Sequence, residues 1–105
     1  MSQFDVHRNI GAGRQTTPFV VVIQSGRFDR ALSRVVVPMI DKRAEPPIDP
    51  QLNPSFEIDG RSVVLHPLQT VTVRTERLGE KVCCLADDSD RIIAAIDLLI
   101  SRAWG

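Results

Sequence analysis

The two histidines, His7 and His66, are the residues of this chain best suited to acid–base chemistry. A histidine can activate a serine nucleophile, and Ser25, Asp29 and His66 supply the residue types of a hydrolytic triad. Neither histidine has a serine or cysteine at a diagnostic spacing along the chain. The fold alone could bring such residues together, and any chain of this length contains the residue types of a triad. We therefore predict structural histidines and no catalytic residue.

Motifs for metals and cofactors are equally weak. Cys83 and Cys84 are adjacent, and no CxxC spacing accompanies them, which argues against a zinc site. Gly11-Ala12-Gly13 is too short for a phosphate-binding GxGxxG loop, and Asp87-Asp88-Ser89-Asp90 lacks the later glycine and glutamate of a calcium loop. The sequence predicts reduced thiols at a strand-to-helix junction, with no metal and no cofactor.

Length and charge restrict the protein class. A chain of 105 residues indicates a single domain, residues 1–105, and its 13 basic residues balance 13 acidic ones. A neutral chain gives no indication of direct binding to nucleic acid or to a membrane. No apolar run approaches the roughly 20 residues that span a bilayer, and the first residues lack a signal-peptide pattern. We expect a cytoplasmic protein.

The elements that must position these residues are mostly strands. The apolar run Phe19–Ile23 is typical of a strand covered on both faces, and Val35–Ile40 is a second such run in which Pro38 indicates a strand edge or bulge. Asp59-Gly60, between two short apolar segments, predicts a type I′ hairpin. Further strands are expected over Gln3–Arg8, Phe56–Ile58, Ser62–Leu65 and Val71–Thr75.

Two connections and one turn separate these strands. Ile10–Gln15 is a glycine-containing loop, and Asp41–Pro54 carries four prolines and must cross the surface without regular structure. Leu78-Gly79-Glu80 is predicted to be a turn before a helix. Short strands followed by one helix indicate a mainly β protein, a small partly open barrel with a C-terminal helix packed on it.

That helix is predicted from about Asp87 to Ala103. Asp87, Asp88 and Ser89 are N-cap candidates. A buried stripe, on the barrel or at a twofold axis, is formed by the apolar residues at helical spacing: Ile92, Ile93, Ile96, Leu99, Ile100 and Ala103. Trp104-Gly105 follows the helix. The single tryptophan there is suited to anchor a partner protein, and alternatively it packs back onto the barrel or a second subunit.

Several motifs occur in one order along nearly the whole chain: Gln3-Phe4-x-Val6, Val20-x-x-Ile23-Gln24-Ser25, Arg34-Val35-Val36-Val37-Pro38-Met39, Leu52-Asn53-Pro54-x-Phe56-Glu57-Ile58-Asp59-Gly60, Leu78-Gly79-Glu80-x-Val82 and Ile93-x-Ala95-Ile96-Asp97-Leu98-Leu99. Together they resemble the CcdB family, the toxins of the ccd plasmid-addiction module and their chromosomal relatives.

The resemblance implies an SH3-like barrel with an additional small sheet, in a homodimer. It implies a toxin that binds the A subunit of DNA gyrase and traps the gyrase–DNA cleavage complex without catalysis. A CcdA-like antitoxin neutralises such toxins and, together with them, represses the operon, so operator DNA is contacted only through the antitoxin complex.

The resemblance also implies site residues, carried over by motif. The gyrase-binding candidates are Trp104, Gly105, Phe28, Ser25, Phe4 and Asp97. Trp104 lies seven residues after Asp97, whereas the family tryptophan lies about four after the matching position. The antitoxin is expected on the exposed loop that contains Gly11, Gly13 and Arg14, and on the proline-rich connection.

Two other functions stay open at this stage. The chain could have the CcdB fold and bind an antitoxin but no longer poison gyrase. The barrel also resembles that of MazF-type RNA-cleaving toxins, and an endoribonuclease would have to use His66 with Arg61 or Arg74 as its acid–base and phosphate-binding groups.

Overall fold

The structure is a computed structural model that describes residues 2–101. Within this range the chain forms one α-helix, α1 (Ser89–Ile100), and seven strands: β1 (Asp5–Asn9), β2 (Phe19–Val22), β3 (Ser33–Asp41), β4 (Ser55–Ile58), β5 (Arg61–Leu65), β6 (Val71–Arg74) and β7 (Leu78–Cys84). Short 3₁₀ turns lie at Gly26–Phe28, Pro67–Gln69, Thr75–Arg77 and Ala86–Asp88. The predicted class, mainly β with one C-terminal helix, is confirmed.

The strands form one antiparallel sheet in the order β4-β5-β3-β2-β1-β7. The long strand β3 has two different partners on one of its sides. Its first half pairs with β6 and its second half pairs with β5. The additional small sheet is therefore the β3–β6 branch, joined to the main sheet through β3. The sheet curls into a half-barrel, and α1 closes its concave side.

The core lies between this curled sheet and α1. Alternate residues of neighbouring strands point into it, as strand geometry requires, and all are fully buried: Val6, Phe19, Val21, Val37, Met39, Val63 and Leu65. The other face of the central strands is covered too, since Val22, Val36 and Val64 are also inaccessible to solvent. The prediction that Phe19–Ile23 contains a strand covered on both faces is confirmed.

The β4–β5 hairpin has the predicted turn. Ile58 pairs with Arg61, and the two residues between them, Asp59 and Gly60, have φ angles of 51° and 78°. Positive φ at both positions defines a type I′ turn, whose twist matches that of the flanking strands.

The sequence predicted a strand edge or bulge at Pro38, and this prediction is wrong. Pro38 lies within the central strand β3. It pairs with Val20 on one side. On the other side it lies in the gap between the β5 and β6 pairings, and its carbonyl accepts a hydrogen bond from the His66 N–H at 3.1 Å. A proline is tolerated there because no partner strand requires its missing N–H.

The predicted turn at Leu78-Gly79-Glu80 is wrong, because these residues begin strand β7. Strand β7 pairs with β1 through an irregular register that shifts on both sides of His7. Gly79 permits the close approach of the two strands, since a Cβ there would lie 2.6 Å from the Arg8 carbonyl oxygen. Cys83 and Cys84 end this strand as free thiols, as predicted.

Helix α1 is shorter than predicted, and its apolar stripe is less buried. Asp88 is the N-cap, but its carboxylate makes no capping hydrogen bond and instead accepts one from Arg91 at 3.3 Å. Ile92 packs in the core, whereas Ile93 and Ile100 are 46% and 71% exposed. The predicted helical residue Ala103 lies outside the described residues.

Candidate partner-binding surfaces

Phe4 is anchored where the N-terminal segment meets two strand ends. Its N–H donates to the Val22 carbonyl at 2.6 Å, and its carbonyl accepts from the Leu85 N–H at 2.8 Å. The residue has a φ of 69°, an unfavourable value for a phenylalanine that these two hydrogen bonds maintain. Phe4 is half-buried and packs against the core, so part of the residue remains at the surface.

Ser25 and Phe28 belong to the segment between β2 and β3. We call residues 25–33, which end at the first residue of β3, the 25–33 loop. The Ser25 hydroxyl accepts a hydrogen bond from the Arg27 N–H at 3.2 Å and caps the 3₁₀ turn. Phe28 follows with 55% of its surface exposed, and the Arg27 guanidinium lies 5.9 Å from its ring centroid. The Gln3 side chain donates to the Ile23 carbonyl at 3.1 Å and so links this loop to the segment that carries Phe4.

Two side chains, Arg34 and Gln24, donate hydrogen bonds to the backbone of the 25–33 loop. Both occur in the family motifs, but neither was among the predicted site residues. The buried guanidinium of Arg34 donates to the carbonyls of Asp29 (2.5 Å), Ala31 (2.6 Å) and Ser33 (3.0 Å). The Gln24 amide donates to the Phe28 carbonyl at 2.9 Å. Hydrogen bonds from the buried Arg34 guanidinium and the half-buried Gln24 amide orient this loop, although residues 25–32 are themselves exposed.

Asp97 is exposed on α1 and lines a different surface, a groove of about 830 Å³. We call this the proline groove. One wall is formed by the proline-rich connection and the first residue of β4 (Pro47, Pro50, Gln51, Asn53, Pro54, Ser55), and the other by one face of α1 and its C-cap (Arg91, Ala94, Asp97, Leu98, Ser101). The structure thus groups Phe4, Ser25 and Phe28 at the end of β2, and Asp97 with the prolines. Trp104 and Gly105 lie outside the described residues.

A stripe of apolar side chains also runs along α1, next to Asp97. Ile93 and Ile100 are exposed and Ile96 is half-buried, and their helical spacing places them on one side. We call these three side chains the isoleucine face. Such a stripe on a water-exposed helix is typical of a protein–protein contact.

The loop expected to bind the antitoxin connects β1 and β2 and contains two turns. The Gly11 carbonyl accepts from the Arg14 N–H at 3.3 Å, and the Gly13 carbonyl accepts from the Thr17 N–H at 2.8 Å. Arg14 is exposed. Gly13 also borders a second groove, of about 510 Å³, whose apolar lining includes Val20, Pro38, Leu68, Val71 and Val73.

The histidines do not form the triad. His66 is buried beside Glu45, where its Nε2 lies 3.3 Å from the Glu45 carbonyl oxygen and its Nδ1 lies 3.8 Å from the carboxylate. Ser25 and Asp29 belong to the 25–33 loop instead. His7 is also buried, with its Nδ1 3.0 Å from the Gly79 carbonyl, and its Nε2 has no hydrogen-bond partner among the described residues.

The carboxylates of buried Asp5 and half-buried Asp41 form ion pairs that lower their pKa values. Burial by itself would raise the pKa of the Asp5 carboxyl. The hydrogen bond from the Ser2 N–H and the Lys81 ammonium, 3.4 Å away, together outweigh this effect, so the pKa of Asp5 lies below its usual value. The pKa of Asp41 is also lowered, by the Arg43 N–H and by the Arg61 guanidinium at 3.0 Å. These pairs connect strands and loops, which is a structural role.

The described part of the chain shows neither a metal site nor a membrane span. Residues 2–101 contain no cluster of three or more histidine, cysteine or acidic side chains that could hold a metal ion. None of the helices among these residues is long and apolar enough to cross a bilayer.

Comparison with known proteins defines the class of fold first. The chain is similar to an endoribonuclease solved in complex with its cognate antitoxin from a mycobacterial species, with a TM-score of 0.73. The two sequences are 14% identical, and the similarity covers 100% of this chain and 99% of that one. The fold is therefore one that a toxin of a toxin–antitoxin pair also adopts.

The family follows from the sequence itself. The family model described as CcdB protein matches residues 3–101, and the chain belongs to the CcdB family of toxin–antitoxin toxins. No curated protein sequence matches the chain.

Proposed function

We propose that this chain is the toxin of a toxin–antitoxin module, that it binds the A subunit of DNA gyrase, and that it traps the gyrase–DNA cleavage complex. The observation that carries the proposal is membership of the CcdB family over residues 3–101. The family resemblance assigns gyrase recognition to Phe4, Ser25, Phe28, Asp97, Trp104 and Gly105.

The geometry at the end of β2 supports a binding function. Phe28 presents an exposed aromatic ring on a loop that Arg34 and Gln24 hold in one conformation. An aromatic side chain on a preorganised loop loses little conformational entropy on binding, which is the usual property of an interface hot spot. Half-buried Phe4 lies beside the same strand end and extends this surface.

A homodimer is part of the proposal. The isoleucine face of α1 offers a self-complementary apolar patch, and most small soluble oligomers are twofold dimers. Covering the exposed parts of Ile93, Ile96 and Ile100 with a second copy would stabilise the dimer, because burial of apolar surface contributes about 25 cal/mol per Å².

The antitoxin is proposed to bind elsewhere, on the β1–β2 loop with Gly11, Gly13 and Arg14, and along the proline-rich connection. An extended antitoxin segment could follow the apolar groove beside Gly13. If this division holds, a chain that lacks Trp104 and Gly105 should still bind its antitoxin, and repression of the operon by the complex should be retained.

An RNA-cleaving activity has less support. His66, the proposed acid–base group, is 3% exposed and contacts Glu45. Arg61 pairs with Asp41, and Arg74 pairs with Glu76 at 3.0 Å. His66 and Arg61 also stand at opposite ends of β5, roughly 16 Å apart by strand rise. These groups are therefore poorly placed to act on one phosphodiester.

The test combines purified toxin with gyrase and supercoiled plasmid, and in parallel with RNA. Linear DNA that appears only with gyrase, and disappears when the cognate antitoxin is added, supports the proposal. RNA cleavage without gyrase would establish the endoribonuclease instead. A chain that binds the antitoxin but does neither would be a CcdB-fold protein that no longer poisons gyrase.

A further inference from the structure

The 25–33 loop exposes its apolar side chains, while its backbone carbonyls accept hydrogen bonds from within the protein. Residues 25–32 are all exposed, and the two large apolar side chains among them, Phe28 and Leu32, are 55% and 68% exposed. The carbonyls of Phe28 and Asp29 accept hydrogen bonds from Gln24 and from the buried Arg34. Large apolar side chains that are exposed together, and not scattered singly, are typical of a protein-binding surface.

Leu32 lies near Phe28 because the chain turns between them. The Ala31 N–H donates to the Phe28 carbonyl at 3.0 Å. A turn with this hydrogen bond keeps the first and fourth Cα atoms within about 7 Å, so the Cα of Leu32 lies within about 11 Å of that of Phe28. One partner surface can cover both side chains at this separation, since a standard interface includes about 20–30 residues on each side.

Arg34 holds the backbone between these two side chains. Its guanidinium donates to the Asp29 carbonyl at 2.5 Å and to the Ala31 carbonyl at 2.6 Å, and both carbonyls lie between Phe28 and Leu32 in the chain. Arg34 is only 5% exposed, so water competes little for these hydrogen bonds. The rigid fork of a guanidinium fixes two acceptors at once, which a lysine ammonium does less well.

We propose that Leu32 is a second apolar contact for gyrase A, beside Phe28, and that Arg34 is the positioning residue that holds the two for docking. The role of Leu32 rests on the proposed function, and the family resemblance carried over Phe28 but neither Leu32 nor Arg34 as gyrase-binding residues. A loop that is ordered before binding loses less conformational entropy on association. Releasing the loop from Arg34 should therefore weaken the complex with gyrase.

The first measurement is the affinity of the full-length chain for purified gyrase A by titration calorimetry. Leu32→Ser should weaken binding at least about fivefold, with little change in melting temperature because the side chain is mostly exposed. Ile48→Ser, at a side chain that is 76% exposed, is the matched control and should bind like the wild type. Wild-type affinity of Leu32→Ser would overturn the role of Leu32 alone. A wild-type chain that does not bind gyrase A would overturn the proposed function and the role of Leu32 with it.

The second measurement tests Arg34 without gyrase. Trypsin cleaves after arginine, and the exposed Arg27 and Arg30 lie in the 25–33 loop, whereas the exposed Arg14 lies in the β1–β2 loop. Arg34→Met removes the hydrogen bonds but keeps an unbranched side chain in the buried site, a type of change that folds often tolerate. Cleavage after Arg27 and Arg30 should become at least about threefold faster, while cleavage after Arg14 should not change.

Arg34→Lys is the second variant, because it retains the buried charge without the fork. Its cleavage rate after Arg27 and Arg30 should lie between those of the wild type and Arg34→Met, and circular dichroism checks that both variants are folded. Unchanged cleavage of the 25–33 loop in both variants would overturn the positioning role. An equal acceleration after Arg14 would also overturn it, since the whole fold would then be destabilised.

A double-mutant cycle connects the two measurements. Phe28→Ala should weaken gyrase binding at least about thirtyfold in the wild-type background, but less than about tenfold in the Arg34→Met background, where the ring is no longer held for docking. A variant that only lowers global stability leaves the effect of Phe28→Ala unchanged. Additive effects of Phe28→Ala and Arg34→Met would therefore show that Arg34 does not act through the loop.

Discussion

The guanidinium carbon of Arg91 lies 4.4 Å from the ring centroid of Phe56, and this contact joins α1 to the β4–β5 hairpin. The same side chain donates to the Ser55 carbonyl at 2.7 Å, a group on the free edge of β4. One residue therefore covers a core aromatic ring, satisfies an edge carbonyl and fixes the helix that forms one wall of the proline groove.

Replacing Arg91 with methionine should destabilise the fold. The change retains apolar contact with Phe56 but removes the cation–π interaction and the hydrogen bond, together worth about 1–2 kcal/mol at a half-exposed site. In a domain of this size we expect the melting temperature to fall by roughly 4–15 °C. Arg30→Met, at an exposed position of the 25–33 loop, is the control. Equal losses from both variants would show that the Arg91 contacts contribute nothing specific.

Gly79→Ala should also lower stability, because the new Cβ would lie 2.6 Å from the Arg8 carbonyl oxygen and force β1 and β7 apart. Overpacking of this kind costs about 1–3 kcal/mol. Gly13→Ala is the matched change, since nothing lies within 4 Å of a Cβ built there. Urea unfolding measures both. A Gly79→Ala protein as stable as the Gly13→Ala protein would contradict the close approach.

Charging the isoleucine face should dissociate the dimer without unfolding the chain. Ile93→Asp and Ile100→Asp place their carboxylates at positions that are exposed in the single chain. Sedimentation at tens of micromolar should show a dimer for the wild type and a monomer for the double variant, with unchanged far-ultraviolet circular dichroism. Ile92→Asp puts the charge into the core instead and should unfold the protein. A wild-type monomer at this concentration would exclude the proposed interface.

Phe28→Ala should abolish growth arrest while leaving the fold intact. Truncating an aromatic hot spot costs about 2 kcal/mol or more, a loss of at least about thirtyfold in affinity for gyrase A. The side chain is more than half exposed, so the melting temperature should change little. Ile48→Ala, at a side chain that is 76% exposed on the proline-rich connection, should retain toxicity. Full toxicity of Phe28→Ala would remove the 25–33 loop from the gyrase contacts.

Asp5 should make stability depend on pH in acid. The folded-state pKa is lower than that of the unfolded chain, so the carboxylate contributes stability above the ordinary pKa, near 4, and loses it as the pH falls through the lowered value. Urea unfolding from pH 7 to pH 2.5 should show this loss below about pH 4. Asp5→Asn should be less stable at pH 7 and lose less on acidification. Asp87→Asn, at an exposed position, should follow the wild type, and identical acid profiles for all three would rule out this role.

The elements that could be predicted from the sequence are those specified by local rules. Asp59-Gly60 defines a type I′ turn because few other residues accept positive φ at both positions, and the apolar run at Phe19 had to be a buried strand. Ile92 belonged to the core by helical periodicity. The family motifs, which are read from residue types in order, also needed no coordinates.

Tertiary contacts decided the rest. Leu78–Glu80 became part of β7 because β1 supplied a partner strand, and Pro38 fitted a central strand because the β5 and β6 pairings leave a gap beside it. Arg34 was named only as part of a family motif, and the fold alone shows that the carbonyls of Asp29, Ala31 and Ser33 surround its guanidinium. Helical periodicity placed Ile93 and Ile100 in the buried stripe, and this prediction is wrong, because the fold leaves both exposed. Periodicity shows which residues share a side of a helix, but which side faces the core depends on the elements that pack against it. Local sequence determines turns and strand or helix character through backbone sterics and side-chain spacing, but the partner of each surface depends on residues distant in the chain.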